Sequence, residues 1–489
     1  MSKYLKISYN DNVVVALTNL NKGEVVEGVT LLNDIKKGHK IAIKDINKNE
    51  NVIKYGYPIG RALNDIKKGE HVHLHNVKTN LEDILSYDYQ KYHTSFDFID
   101  DNLTVNVYER DDGQVGIRNE LWVIPTVGCI NNQAKLIVEE FKKRYDVSLI
   151  DDVVAYSHPY GCSQLGGDLE FTKKTLQNMV RHPNNGGVLI LGLGCENNQV
   201  SDFKVGMEDV NKVRYLISQE VDDEIEEGVR LLGELYESMK NLKRVKKPIS
   251  CLRVGLKCGG SDAFSGISAN PLVGMFSDFL TTRGGTTALT EVPEMFGAET
   301  ILMNQAKNEE VFKKIVKLIN DFKLYYKKHD QVIYENPSPG NKEGGITTLE
   351  EKSLGCTQKA GKNEVVDVLF DNERITKNGL NLVNGPGNDL ISVTNLAASG
   401  CHLVLFTTGR GTPFGGFVPT IKISTNSELA SRKTNWIDFD AGRVLTGMSF
   451  DEVLKELVEL VIKVANGDKT LNEIYNFKDI SIFKSGVIL

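Results

Sequence analysis

The chain has 489 residues, 40% of them hydrophobic and 25% charged, with a formal net charge of −7. That is ordinary composition for a soluble protein of two or three domains, and it offers no basic face for nucleic acid. No apolar run reaches the ~20 residues that span a bilayer. The start, Met1-Ser2-Lys3-Tyr4-Leu5-Lys6, lacks the apolar stretch of a signal peptide, so a cytoplasmic protein is expected.

A short phrase recurs four times before residue 75: Asn19-Leu20-Asn21-Lys22-Gly23-Glu24, Asp34-Ile35-Lys36-Lys37-Gly38-His39, Asp45-Ile46-Asn47-Lys48-Asn49-Glu50 and Asp65-Ile66-Lys67-Lys68-Gly69-Glu70. Gly or Asn at the fifth place suits a positive φ. The runs that follow are β-prone, so a small all-β module with many turns is expected. After the fourth copy come His71, His73 and His75, three of the chain's nine histidines. On a strand they would share one face. That face reads as a divalent-metal site or as a solvated polar surface. Aligning the second and fourth copies puts His71 on Lys40 and His73 on Ala42. The scaffold therefore does not demand the histidines, and the ligand reading is preferred.

Residues from about 81 to 102 are polar, acidic and aromatic, as in a linker that crosses the surface. Beyond them buried strands, glycine-rich loops and helices alternate, which indicates an α/β body with largely parallel sheets. The expected division is a β module over residues 1–82, a linker over 83–103, an α/β domain over 104–247 and a C-terminal α/β domain over 248–489. The basic run from Lys240 to Lys247 reads as a second, solvated linker.

In parallel sheets ligands bind beyond the carboxyl ends of strands. Loops there begin at Gly128-Cys129, Gly161-Cys162, Gly194-Cys195, Lys257-Cys258-Gly259-Gly260-Ser261 and Gly409-Arg410-Gly411. Their Gly, Asn, Ser and Thr suit a small polyhydroxylated anion, with Asn119, Asn197 and Ser261 as hydroxyl partners. Arg118 reads as a carboxylate clamp or a structural ion pair, and Arg410, between glycines, as a stronger clamp. His158 is a candidate acid or base, or a loop histidine capping a helix. Glu196 and Glu291 are candidate bases or ligands. The seven cysteines include no Cys-x2-Cys, which argues against a zinc ribbon or a disulfide framework. Cys129, Cys162 and Cys195 could converge on an iron–sulfur cluster. Small cysteines fitting tight glycine turns is the preferred reading.

Several long phrases resemble one family. They include Gly69-Glu70-His71-Val72-His73, Gly116-Ile117-Arg118-Asn119-Glu120-Leu121-Trp122, Tyr160-Gly161-Cys162-Ser163-Gln164-Leu165-Gly166 and Gly192-Leu193-Gly194-Cys195-Glu196-Asn197-Asn198. They continue with Cys258-Gly259-Gly260-Ser261-Asp262, Thr290-Glu291-Val292-Pro293-Glu294, Glu335-Asn336-Pro337-Ser338-Pro339-Gly340-Asn341 and Gly409-Arg410-Gly411-Thr412-Pro413. End to end, the chain resembles the altronate/galactarate dehydratase family, to which sulfolactate sulfo-lyase is related. The resemblance implies an N-terminal SAF domain of β-clip fold and a partly Rossmann-like body. It implies a hydro-lyase that converts D-altronate to 2-dehydro-3-deoxy-D-gluconate in hexuronate catabolism, with galactarate or another sugar acid as the alternative substrate. A non-catalytic sugar-acid binding protein is the remoter reading. The resemblance also implies a divalent metal, Fe(II) or Mn(II), for which His71, His73 and His75 are the expected ligands. The partner is a small sugar acid, within a possible homo-oligomer.

Overall fold

The computed structural model describes residues 2–81, 84–92 and 97–487. The four repeated phrases fold as two reciprocal pairs. Leu20 and Ile35 exchange both backbone hydrogen bonds, and so do Ile46 and Ile66. The Asx that opens each phrase caps the turn of its partner. Asp34 Oδ1 accepts from Lys22 N and Asn19 Oδ1 from Lys37 N, at 2.8 and 2.9 Å. Asp65 Oδ1 accepts from Lys48 N and Asp45 Oδ1 from Lys68 N, both at 2.9 Å. The fifth residues, Gly23, Gly38, Asn49 and Gly69, all have positive φ, between 68° and 90°.

These turns space the strands of the module. One sheet orders Tyr4–Leu5, Val13–Ala16, Lys40–Ala42 and His71–Val72, and another orders Asn51–Lys54, Tyr57–Ala62 and Val77–Lys78. The module's core is not private. Val13, Ala42, Val52, Ile59 and Val72 pack in one cluster with Ala298 and Leu354 of the body.

Residue 82, at the end of the expected module, and residues 83 and 93–96 of the expected linker lie outside the described residues. The rest of the linker has neither helix nor strand but is tied down, with Tyr87 donating to Glu299 Oε1 and Tyr89 to Ala306 O, each at 2.6 Å. The basic run is in part a strand and not a linker. Val245–Pro248 pairs antiparallel with Thr104–Glu109, because Arg244 and Lys247 find partners in Asn106 O and Glu109.

The body holds two parallel sheets. The first orders Asp152–Ala155, Glu120–Pro125, Asn185–Gly192 and Val213–Ile217. The second has seven strands, in the order Val365–Leu369, Gly379–Val383, Thr286–Leu289, Arg253–Cys258, Leu403–Thr408, Thr420–Ser424 and Phe439–Asp440. Their strands are near-continuous apolar runs because helices cover them. One core joins the two units, since Trp122, Tyr156 and Ile190 of the first pack with Val393, Val404 and Phe406 of the second. Among the described residues no helix is long and apolar enough to cross a membrane.

Replacing Asp45 with Ala removes one of the four cross-turn caps. An urea-unfolding series should show a loss of about 1 kcal/mol.

Candidate functional site

The module presents its histidines to the body. Ile41 pairs with His71 across the antiparallel ladder, which brings His39 alongside. The His39 ring lies 5.1 Å from that of His71 and 4.8 Å from that of His73, between centroids. His71 is 5.7 Å from His73 and 5.3 Å from His75. The expected strand across His71 to His75 stops at Val72. The chain turns there because Asn76 folds back: its Nδ2 donates to His71 O at 2.9 Å and its Oδ1 accepts from His73 N at 3.0 Å. The rings are gathered by a turn, not by a pleat.

The hydrogen bonds fix the tautomers of His39 and His71. His39 Nε2 lies 3.2 Å from Glu343 O, an acceptor only, so that nitrogen carries the proton. His39 Nδ1 is then a lone pair, and it accepts from His71 Nε2 at 2.9 Å. The shared proton sits between two imidazole nitrogens. His73 Nδ1 lies 3.1 Å from Thr347 Oγ1, a hydroxyl that can donate or accept there, and Nε2 lies outside that bond. Burial, with His39 and His75 nearby, lowers His71 to about 4. Burial and Lys40 lower His73 to about 3, so both rings are neutral at pH 7, the form that binds metal. The rings offer neutral imidazole donors of a kind that suits a divalent cation, although no three of their nitrogens lie within 4.8 Å of one another.

Behind the rings lies a buried ion cluster. Lys40 Nζ donates to Glu351 Oε2 at 2.8 Å, Thr347 Oγ1 at 2.6 Å and Gly345 O at 2.8 Å. Lys54 Nζ reaches Glu351 Oε1 at 2.7 Å. Burial opposes the Glu351 charge, but Lys40 and Lys54 outweigh it and hold the carboxyl at about 2.

The body contributes a cleft of about 420 Å³, lined by Gly259, Gly260, Glu294, Lys352, Asp389 and the segment from Glu335 to Lys342. Lys257 Nζ spans Glu291 Oε1 at 2.6 Å and Asp389 Oδ1 at 2.9 Å. Glu291 has φ +73° and also pairs with Lys359 at 3.1 Å. Lys352 holds Glu294 Oε1 at 2.7 Å. Beside Glu294 lie Cys258 and Cys356, a second group of donors able to hold a cation. A separate recess of about 270 Å³ is lined by Lys37, Asp262, Gly344, Arg410 and Asn426 among others.

The other expected site residues divide. Arg410 lines that recess and contacts Gly340 O at 3.3 Å and Glu343 Oε2 at 3.1 Å. Ser261 is buried nearby, its carbonyl accepting from Asn341 Nδ2 at 2.7 Å. Arg118 uses all five N–H groups inside the protein: on Glu473 at 2.7 and 3.0 Å, and on Ile117 O, Val464 O and Asp468 O at 2.8 Å. Asn119 bridges Arg110 Nη1 and Met239 O. His158 donates from Nε2 to Pro125 O at 2.7 Å and accepts at Nδ1 from Tyr160 N at 3.2 Å. Glu196 accepts from Thr126 Oγ1, Leu193 N and Gly194 N at 2.6 to 3.0 Å, and Asn197 is exposed beside it. None of these four side chains, nor Asn197, lines the 420 Å³ cleft. Cys129, Cys162 and Cys195 are exposed, and no three donors among them lie within 4.8 Å of one another.

Sequence reasoning passed over His39, Lys40, Thr347 and Glu351. His39 carried a signal. In the other three repeat copies the sixth residue is Glu, and Glu24, Glu50 and Glu70 each cap their own turn through the N–H of Asn21, Asn47 or Lys67. His39 replaces that cap and turns its ring away.

Three family profiles tile the chain: an altronate/galactarate dehydratase SAF domain over residues 2–80, the second domain of D-galactarate dehydratase/altronate hydrolase over 107–240, and the C-terminal domain of D-galactarate/altronate dehydratase over 249–488. A SAF module thus precedes a two-part α/β body. The chain belongs to the altronate/galactarate dehydratase family. The altronate dehydratases of Bacillus subtilis (strain 168) and Escherichia coli (strain K12) are each 54% identical to it, over 100% of both chains. The galactarate dehydratase (L-threo-forming) of Escherichia coli (strain K12) is 33% identical, over 95% of this chain and 93% of its own. Such a family is consistent with a metal cofactor.

Two outcomes follow. In the metal-free protein, nuclear magnetic resonance titration should find His71 and His73 protonating near pH 4 and 3, far below an ordinary histidine at about 6.5. Because the folded values are depressed, their contribution to stability is present above pH ~6.5 and is lost as pH falls towards 4. Arg118→Ala should cost about 3–5 kcal/mol in chemical denaturation by stranding buried Glu473, while KM of the folded enzyme stays the same.

Proposed function

We propose that this chain removes water from D-altronate to give 2-dehydro-3-deoxy-D-gluconate, at a divalent-metal site between the module and the C-terminal α/β unit. The observation that carries this reading is the seating of His39 and His73 on the body segment from Glu343 to Thr347, with His71 held against His39. End-to-end similarity to two altronate dehydratases, module included, supports the substrate.

His39 Nδ1, His71 Nε2 and His73 Nε2 would hold Fe(II) or Mn(II), with His75 completing the set at its exposed edge. Both ions accept imidazole together with oxygen ligands. When bound, the cation supplies Lewis-acid stabilisation of the charge that develops beside the substrate carboxylate. Thr347 orients His73, and Lys40 fixes Thr347 in turn. Lys37 and Arg410, which line the recess next to Gly38, offer cations for the carboxylate. Loss of water needs a base for the C2 proton and an acid for the departing 3-hydroxyl. Asp389 and Lys352 bring a carboxylate and an ammonium to the cleft.

A 2-keto-acid assay over D-altronate, galactarate and other aldonates and aldarates should find D-altronate preferred. His39→Ala, His71→Ala and His73→Ala should each lose bound metal and at least about 100-fold in turnover. Full metal content and activity in the His71 and His73 variants would overturn the ligand assignment. Absence of keto product from every sugar acid would overturn the reaction.

A further inference from the structure

Cys258, Glu294 and Cys356 come from three elements: the last residue of the strand Arg253–Cys258, the turn Val292–Glu294 and the last residue of the helix Leu349–Cys356. Their donor atoms meet in the interior. The two Sγ atoms are 3.3 Å apart, and Glu294 Oε2 lies 3.4 Å from Cys258 Sγ and 3.1 Å from Cys356 Sγ. A triangle of that size closes around a cation with bonds of ~2 Å. Among the described residues it is the one set of three His, Cys, Asp or Glu side chains gathered within 4.8 Å.

The surroundings suit a thiolate site. Glu294 divides its oxygens, giving Oε1 to Lys352 at 2.7 Å and Oε2 to the sulfurs. Lys359 Nζ donates to Cys258 Sγ at 2.9 Å, so an ammonium already faces the atom that must ionise. A metal-bound thiolate still accepts such a bond, and outer partners of this kind orient ligands. Three lysines, Lys257, Lys352 and Lys359, balance Glu291, Glu294 and Asp389 here. A dication that displaces the two thiol protons leaves that balance unchanged.

We propose that Cys258, Glu294 and Cys356 form a second cation site, distinct from the histidine cluster, for a borderline or soft divalent ion such as Zn(II) or Fe(II). Thiolates select these ions over Mg(II) and Ca(II). Glu294 also lines the 420 Å³ cleft, so the site adjoins the cleft through that side chain.

The test loads the reduced full-length protein with Co(II). A thiolate-to-cobalt charge-transfer band should appear in the near ultraviolet, persist in the His71→Ala/His73→Ala double variant and vanish in Cys258→Ser/Cys356→Ser. A second measurement needs no variant: X-ray absorption of the protein carrying two equivalents of Zn(II) should show sulfur neighbours at about 2.3 Å. A zinc shell of nitrogen and oxygen alone, or a cobalt band that survives in the serine variant, overturns the site. Failure of the histidine assignment reads differently, as undiminished metal content in the histidine variant.

Discussion

The arrangement depends on one buried carboxylate. Glu351 is flanked by the ammonium groups of Lys40 and Lys54, and these three side chains are 1%, 0% and 1% exposed. None of the three charges would be tolerated alone in an apolar interior. The lysines belong to two sheets of the module and the carboxylate to the body, so the charges balance only when the two are docked in one orientation. Lys40 follows His39 directly and opens the strand that pairs with His71–Val72. Fixing Lys40 on Glu351 therefore also fixes the imidazoles against Thr347 and Glu343.

The helix Leu349–Cys356 distributes this constraint. Successive residues of an α-helix point about 100° apart. Glu350 turns to the end of the module and accepts from Thr79 and Asn80. Glu351 turns to the lysines behind the histidines, and Lys352 to Glu294 at the cleft. Cys356, one turn further on, meets Cys258. All eight residues of this helix are buried. A helix polar on several sides yet buried requires a charged or hydrogen-bonding partner on each of them, and here the module, the cation cluster and the cleft provide them.

These partners decide what could be read from the sequence. The repeat was legible because its turns obey local rules: Asx caps, positive φ at Gly or Asn, and apolar residues at a fixed spacing. His71 and His73 were legible because they depart from that repeat, and His39 departs from it equally at a place where Glu was the norm. Glu350-Glu351-Lys352 has no such local context and looks like a solvated face. The partners of its two glutamates lie about 270 to 311 residues away in the chain, and Glu294, which Lys352 meets, lies 58 away. Arg118 has two readings for the same reason, a carboxylate clamp or a structural ion pair. A guanidinium in a glycine-rich loop suits an anionic ligand, but Glu473, 355 residues on, already occupies it. His158 and Glu196 likewise serve the backbone of tight loops at the end of the first sheet. Polar residues at strand ends have two uses, holding the loop or holding a ligand, and only the fold distinguishes them.

The segment from Glu335 to Thr347 shows how the two halves bear on each other. Its first part, through Lys342, walls the cleft. Its second part gives Glu343 O to His39, Gly345 O to Lys40 and Thr347 Oγ1 to His73. Gly345 has φ +97°, and a Cβ there would lie 2.4 Å from Gly38 O, so no side chain fits where the segment crosses the module's turn. The turn in question is the second copy of the repeat, the one that ends in His39. Close backbone approach at Gly38 and Gly345 is what lets one continuous stretch of chain both hold a ring of the module and wall the cleft. A shift of that stretch by an ångström would disturb the histidine contacts and the shape of the cleft together.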